Sequence, residues 1–110
     1  MKNLKPYIPS TISELIDMLG MMILSSPKFL DRTGYFPERN IDTVFSDFHE
    51  SLRLLRGRLG EVLYLKLKEM TEQMKAHFES DPEDKTDDSL KGRAIIEDMI
   101  DILKQRAGKS

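Results

Sequence analysis

The sequence predicts an all-α domain, a compact bundle of about four helices with a packed loop between the first and second. Three observations carry this expectation. Apolar residues recur at spacings of three and four through most of the chain, proline or glycine marks the ends of those runs, and a capping-box pattern opens the first of them. At 110 residues the chain suits one domain with one modest core. Residues 1–10 read as an N-terminal extension and 106–110 as a frayed tail.

Thr11-Ile12-Ser13-Glu14 has the form of a capping box, whose hydroxyl and carboxylate satisfy backbone N–H groups at a helix start. The helix that follows carries Ile12, Leu15, Ile16, Leu19, Met22 and Ile23 on one stripe, widened by Met18, Met21 and Leu24. Ser26-Pro27 ends it, because proline lacks a backbone N–H and disfavours the helical conformation in the residue before it. The connection to Asn40 holds Phe29, Leu30, Tyr35 and Phe36 around Thr33-Gly34, too many apolar groups for a freely solvated segment, and is expected to fold back as an Ω-like loop.

A second helix follows from Ile41, Val44, Phe45, Phe48, Leu52, Leu55 and Leu59. Gly60 supplies a left-handed stop, so a tight turn leads into a third helix carrying Leu63, Leu67, Met70, Met74 and Phe78. Asp81-Pro82 breaks that helix near Glu79, and the linker from Asp81 to Asp88 contains several candidate caps. A fourth helix is expected from about Asp88 to Gln105, burying Leu90, Ile95, Ile96, Met99, Ile102 and Leu103, with Gly92 allowing a neighbouring helix to approach closely.

Composition narrows the function. Without cysteine there is neither a disulfide framework nor a thiolate metal site, which suits a reducing cytoplasm. The N-terminus has no signal-peptide pattern, and the longest apolar stretch, Met18 to Leu24, falls far below the roughly 20 residues a membrane-spanning helix needs. His49 and His77 lie on different helices with no second histidine or cysteine three or four residues away, and carboxylates such as Glu97, Asp98 and Asp101 belong to a solvated helix face. There is no glycine-rich phosphate loop. These features predict no cofactor, no metal and no catalysis. The methionines, seven in all, read as core at helical spacing.

Charge is segregated. The middle of the chain is mildly basic through Arg53, Arg56, Arg58, Lys66, Lys68 and Lys75, yet the acidic overall balance argues against direct nucleic-acid binding. Glu79, Asp81, Glu83, Asp84, Asp87 and Asp88 face only Lys85 in the segment from Glu79 to Asp88. Clustered carboxylates of this kind either cap helices and solubilise a linker, or complement the basic cleft of a nucleic-acid-acting protein and speed its capture.

Three segments carry a family resemblance: Leu24-Ser25-Ser26-Pro27-Lys28-Phe29, the stretch from Thr33 to Ile41 (TGYFPERNI), and the stretch from Lys75 to Thr86 (KAHFESDPEDKT). With them the chain, from about Thr11 to Leu103, resembles the small helical immunity proteins of bacterial contact-dependent growth inhibition systems. The resemblance implies a cytoplasmic inhibitor whose partner is the toxin domain of a cognate effector, in one branch an EndoU-type ribonuclease that cuts tRNA. It would place Asp81, Glu83, Asp84, Asp87 and Asp88 against the toxin's cationic cleft, with Tyr35 and Phe36 as an apolar anchor. The alternative from a different class is a helical regulatory or adaptor module that self-associates through an exposed Leu/Met stripe.

Overall fold

The computed structural model describes residues 8–30 and 39–108. Four helices make up the described fold, α1 Ile12–Ser25, α2 Ile41–Leu59, α3 Glu61–Ser80 and α4 Asp87–Gly108, and no strand occurs among the described residues. The principal helix pairs are α1 with α4, α4 with α3, and α3 with α2, so the fourth helix lies between the first and the third. The extents, 37 × 37 × 19 Å, are those of a flattened bundle.

The Thr11 hydroxyl accepts the Glu14 N–H at 3.1 Å, as a capping box requires. The returning carboxylate reaches one residue further back than the motif predicts. Glu14 Oε1 accepts from the Ser10 N–H at 2.9 Å and the Ser10 hydroxyl at 3.1 Å, and these bonds lower its pKa. Pro9 is buried, so the end of the expected N-terminal extension belongs to the packed structure. At the other end of α1 the serines turn inward to the helix: Ser25 Oγ donates to the Met21 carbonyl at 3.1 Å and Ser26 Oγ to that of Ile23 at 2.9 Å. The Ser26-Pro27 peptide bond that follows is cis.

Phe29, in the connection after α1, is fully buried and meets Phe45 of α2 and Phe78 of α3 edge-on, at ring-centroid distances of 5.3 and 5.2 Å. One residue of the connection thereby packs between α2 and α3, as the apolar loop composition predicted for part of it, while Leu30 of the same connection is 53% exposed. Tyr35 and Phe36 lie outside the described residues.

Asn40 opens α2 with a reciprocal box, accepting from the Thr43 N–H at 3.0 Å while its own N–H donates to Thr43 Oγ1 at 2.9 Å. Gly60, at φ 84°, ends α2 and starts α3 in one residue. A forked pair from Arg56 to Glu61, at 2.7 and 2.6 Å, spans that corner, and the Arg56 guanidinium stands 4.7 Å from the centroid of the Tyr64 ring.

Helix α4 departs from expectation at both ends. Leu90, assigned to the buried stripe, is 61% exposed, while Ser89 is fully buried. The inward face runs through Ser89, Gly92, Ile96, Met99 and Leu103, at spacings of three and four, which rotates Leu90 about 100° away from it. Arg106, placed in a frayed tail, is instead helical and donates from Nη2 to the Arg58 carbonyl at 2.8 Å.

Gly92 is where α4 meets α3: an added Cβ would fall 2.6 Å from Cε1 and Cζ of the buried Phe78 ring. Ring displacement is resisted by the Phe29 contact on the same side chain. Overpacking therefore outweighs the helix propensity gained, and Gly92→Ala is expected to lose about 1–2 kcal/mol of stability. Gly20 and Gly57, whose added Cβ atoms meet nothing within 4 Å, are expected to gain about 0.5–1 kcal/mol on the same change. Urea midpoints of the three variants check the sign at each position.

Candidate partner-binding surface

The acidic segment between α3 and α4 is a built corner, with Asp81 at its centre. The Asp81 N–H caps α3 by donating to the Phe78 carbonyl at 3.1 Å. Its carboxylate turns the other way: Oδ1 accepts the Lys85 N–H at 2.7 Å, and Oδ2 accepts those of Thr86 and Ser89 at 3.0 and 3.2 Å. Ser89 Oγ closes the arrangement by donating to the Asp81 carbonyl at 3.2 Å. A single residue thus ends one helix and caps the next.

Asp81 is only 3% exposed, so it does not stand on the acidic rim where the sequence placed it. Burial pushes its carboxyl pKa up, but the bonds from Lys85, Thr86 and Ser89 favour the ionised form more strongly and bring it down to about 2. The buried charge is stabilised by N–H dipoles rather than by a cation.

The remaining carboxylates are exposed or half-exposed around this lock. Glu83 pairs with Lys28 at 3.3 Å, and Asp84, held at φ 58°, accepts from Arg93 Nη2 at 2.9 Å. Arg93 Nε also donates to Ser26 Oγ at 2.8 Å, tying the end of α1 to the corner. Asp88 meets His77 Nδ1 at 2.9 Å. Asp87 and Glu79 are exposed and form no ion pair among the described residues. Of the expected interface carboxylates, the structure therefore brings Glu83, Asp84, Asp87 and Asp88 together and removes Asp81 to the interior.

Between the end of α1 and the corner lies a groove of about 460 Å³, walled by Ser25 to Lys28, Leu30, and Pro82 to Asp84. Large apolar side chains stand exposed at this same end of the molecule: Leu24 at 86%, Leu30 at 53% and Leu90 at 61%. The helical spacing of the sequence predicts both Leu24 and Leu90 as core. The signal that separates Leu90 is its phase, one position off the stripe through Gly92, Ile96 and Met99; for Leu24 it is the place at the very end of a helix, where neighbours on the next turn are missing.

The other sequence features resolve differently. His49 is half-buried, its pKa lowered by burial and by Lys68 and Lys75 against the opposing charge of Glu72. Among the described residues no group of three or more His, Cys, Asp or Glu side chains could hold a metal ion. Met18, Met22, Met74 and Met99 are core, Met70 is half-buried, and Met21, expected on the buried stripe of α1, is 57% exposed. The basic middle is partly neutralised by near neighbours in the chain, Arg53 by Glu50 within α2 and Arg56 by Glu61 across the turn into α3. Among the described residues no helix is long and apolar enough to cross a membrane. Compared with models of known families, with curated proteins and with solved structures, the chain matches none.

Proposed function

We propose that this protein is an immunity protein, which binds the toxin domain of a contact-dependent growth inhibition system in the cytoplasm and occludes its active site. The toxin in this reading is a ribonuclease with a cationic substrate cleft. The observation that favours it over a solvated linker is the Asp81 lock: three backbone N–H groups converge on one buried carboxylate, so the acidic corner has a defined shape. Carboxylates presented on a fixed corner complement a cationic cleft without an ordering cost on binding. Leu24, Leu30 and Leu90, exposed beside them, supply the apolar contact that charge alone lacks.

The mechanism is occlusion assisted by steering. Glu83, Asp84, Asp87 and Asp88 take up the space and the positive potential that substrate phosphates would use, and long-range attraction raises the encounter rate at low ionic strength. Glu83→Lys with Asp87→Lys reverses two exposed charges that are not part of the Asp81 network. That double variant is expected to bind the toxin domain with an association rate lower by about tenfold or more at low salt. Stopped-flow binding at two salt concentrations measures it, and an unchanged rate would remove the electrostatic part of the reading.

Calorimetry with the toxin domain encoded immediately upstream, paired with tRNA cleavage assays, tests the function itself. Tight binding that abolishes cleavage is the expected result; no binding to a folded toxin domain would reject it. One observation favours the alternative of a self-associating adaptor: Val62 is 85% exposed and Leu65 and Leu54 about half exposed near the α2–α3 turn. A concentration-dependent dimer lost on Val62→Glu would bring that reading forward.

A further inference from the structure

We propose that the groove beside the acidic corner is a socket for one arginine side chain of the partner, and that Lys28 occupies its charge site in the unbound protein. The inference rests on the binding function proposed above and names the element of the partner that enters. The groove is of mixed character. Pro27, Leu30 and Pro82 give it apolar walls, and Glu83 and Asp84 lie at one side. A long side chain with a methylene stem and a cationic head matches that layout, the stem lying along apolar surface and the head meeting a carboxylate.

The two carboxylates are not equivalent. Asp84 is held by Arg93, which bonds Ser26 Oγ at the same time and is only 24% exposed. Breaking that contact would loosen the end of α1 as well, so Arg93 stays. Glu83 meets Lys28 through one contact at 3.3 Å, with the two side chains 49% and 60% exposed. An exposed single-contact pair of this kind contributes little and exchanges readily. An incoming guanidinium offers two parallel donors to the carboxylate, where the Lys28 ammonium offers a point charge. Arginine is therefore preferred to lysine, and the resident lysine is a weak competitor.

This assignment makes an unusual demand: removing a positive charge next to an acidic site should strengthen binding of a cation in proportion to the competition removed. The probe is N-acetyl-arginine methylamide, titrated at low salt into the ¹⁵N-labelled protein, with the lysine and citrulline counterparts as controls. Amide shifts are expected to cluster at Lys28, Leu30, Glu83 and Asp84, to be larger for arginine than for lysine, and to be absent for citrulline. Lys28→Met should tighten the arginine interaction by about two- to fivefold, and Glu83→Gln should remove it while the helical signal is retained.

Equal response to citrulline, shifts scattered away from the groove, or weaker binding by Lys28→Met would overturn the socket. The toxin experiment separates the two proposals. A toxin domain that is bound and inhibited while the groove stays silent to arginine overturns the socket and leaves the inhibitor; arginine binding in the groove with the toxin domain untouched overturns the inhibitor.

Discussion

Replacing Phe29 by alanine is expected to cost about 3–5 kcal/mol, the range for removing a fully buried aromatic ring that its surroundings cannot fill. The ring has no exposed surface and two edge-on aromatic partners on different helices. Its loss leaves a void between Phe45 and Phe78, and the same Phe78 ring is the one that Gly92 accommodates. Collapse into the void would pull α3 and α4 out of register, so the cavity is expected to persist. For a domain of this size such a loss is a large part of a total near 5–15 kcal/mol. Urea denaturation reads it as a lower midpoint with an unchanged slope; a shift below about 1 kcal/mol would mean the loop residue is not part of the core. Phe29→Leu, which keeps most of the volume, is expected to lose less than half as much.

Asp81→Ala is the second large effect. The change exposes no ring-sized void, but it leaves the N–H groups of Lys85, Thr86 and Ser89 without an acceptor, one of them in a fully buried residue. Unsatisfied buried donors carry their whole desolvation cost, and Tm is expected to fall by on the order of 10 °C. The pH dependence identifies the cause. The folded pKa, about 2, lies below the ordinary 3.8, so the unfolded chain takes up the proton first. Asp81 therefore contributes stability that is complete above about pH 4 and is lost as pH falls through about 2. Asp81→Asn removes that component while keeping the shape. The stability gap between wild type and Asp81→Asn is expected to be constant from pH 7 to pH 5 and to narrow steeply below pH 4. A gap that stays constant into acid would show that the charge of Asp81 is not what holds the corner.

Most of the fold was legible because its punctuation is local. Thr11 and Glu14, Asn40, Gly60 and Asp81-Pro82 mark helix ends through bonds to neighbours a few residues away, and the spacing from Val44 to Leu59 needs no tertiary context to be read as a buried face. The site was less legible. In a run of carboxylates, the Asp81 side chain is chemically the same as Asp84 or Asp87, and only the three-dimensional approach of the Lys85, Thr86 and Ser89 amides marks it as interior. The same interaction explains the error at Leu90. By drawing Ser89 inward, Asp81 sets the rotation of the first turn of α4, and hydrophobicity alone would have chosen the leucine. Arg93 and Lys28 escaped notice as parts of the site because their partners, Ser26 and Glu83, are 67 and 55 residues away in sequence.

The position of α4 between α1 and α3 has a consequence for synthesis. While the chain is being made, α2 and α3 can associate as soon as both exist, since one residue joins them and closing so short a connection costs little entropy. The first helix has no such neighbour. Its principal partner is translated last among the described helices, and the Ser26–Arg93 bond closes across 67 positions. Until then the stripe of Leu15, Met18, Leu19 and Met22 lacks its principal cover, so the first of the described helices to be made is among the last to be protected.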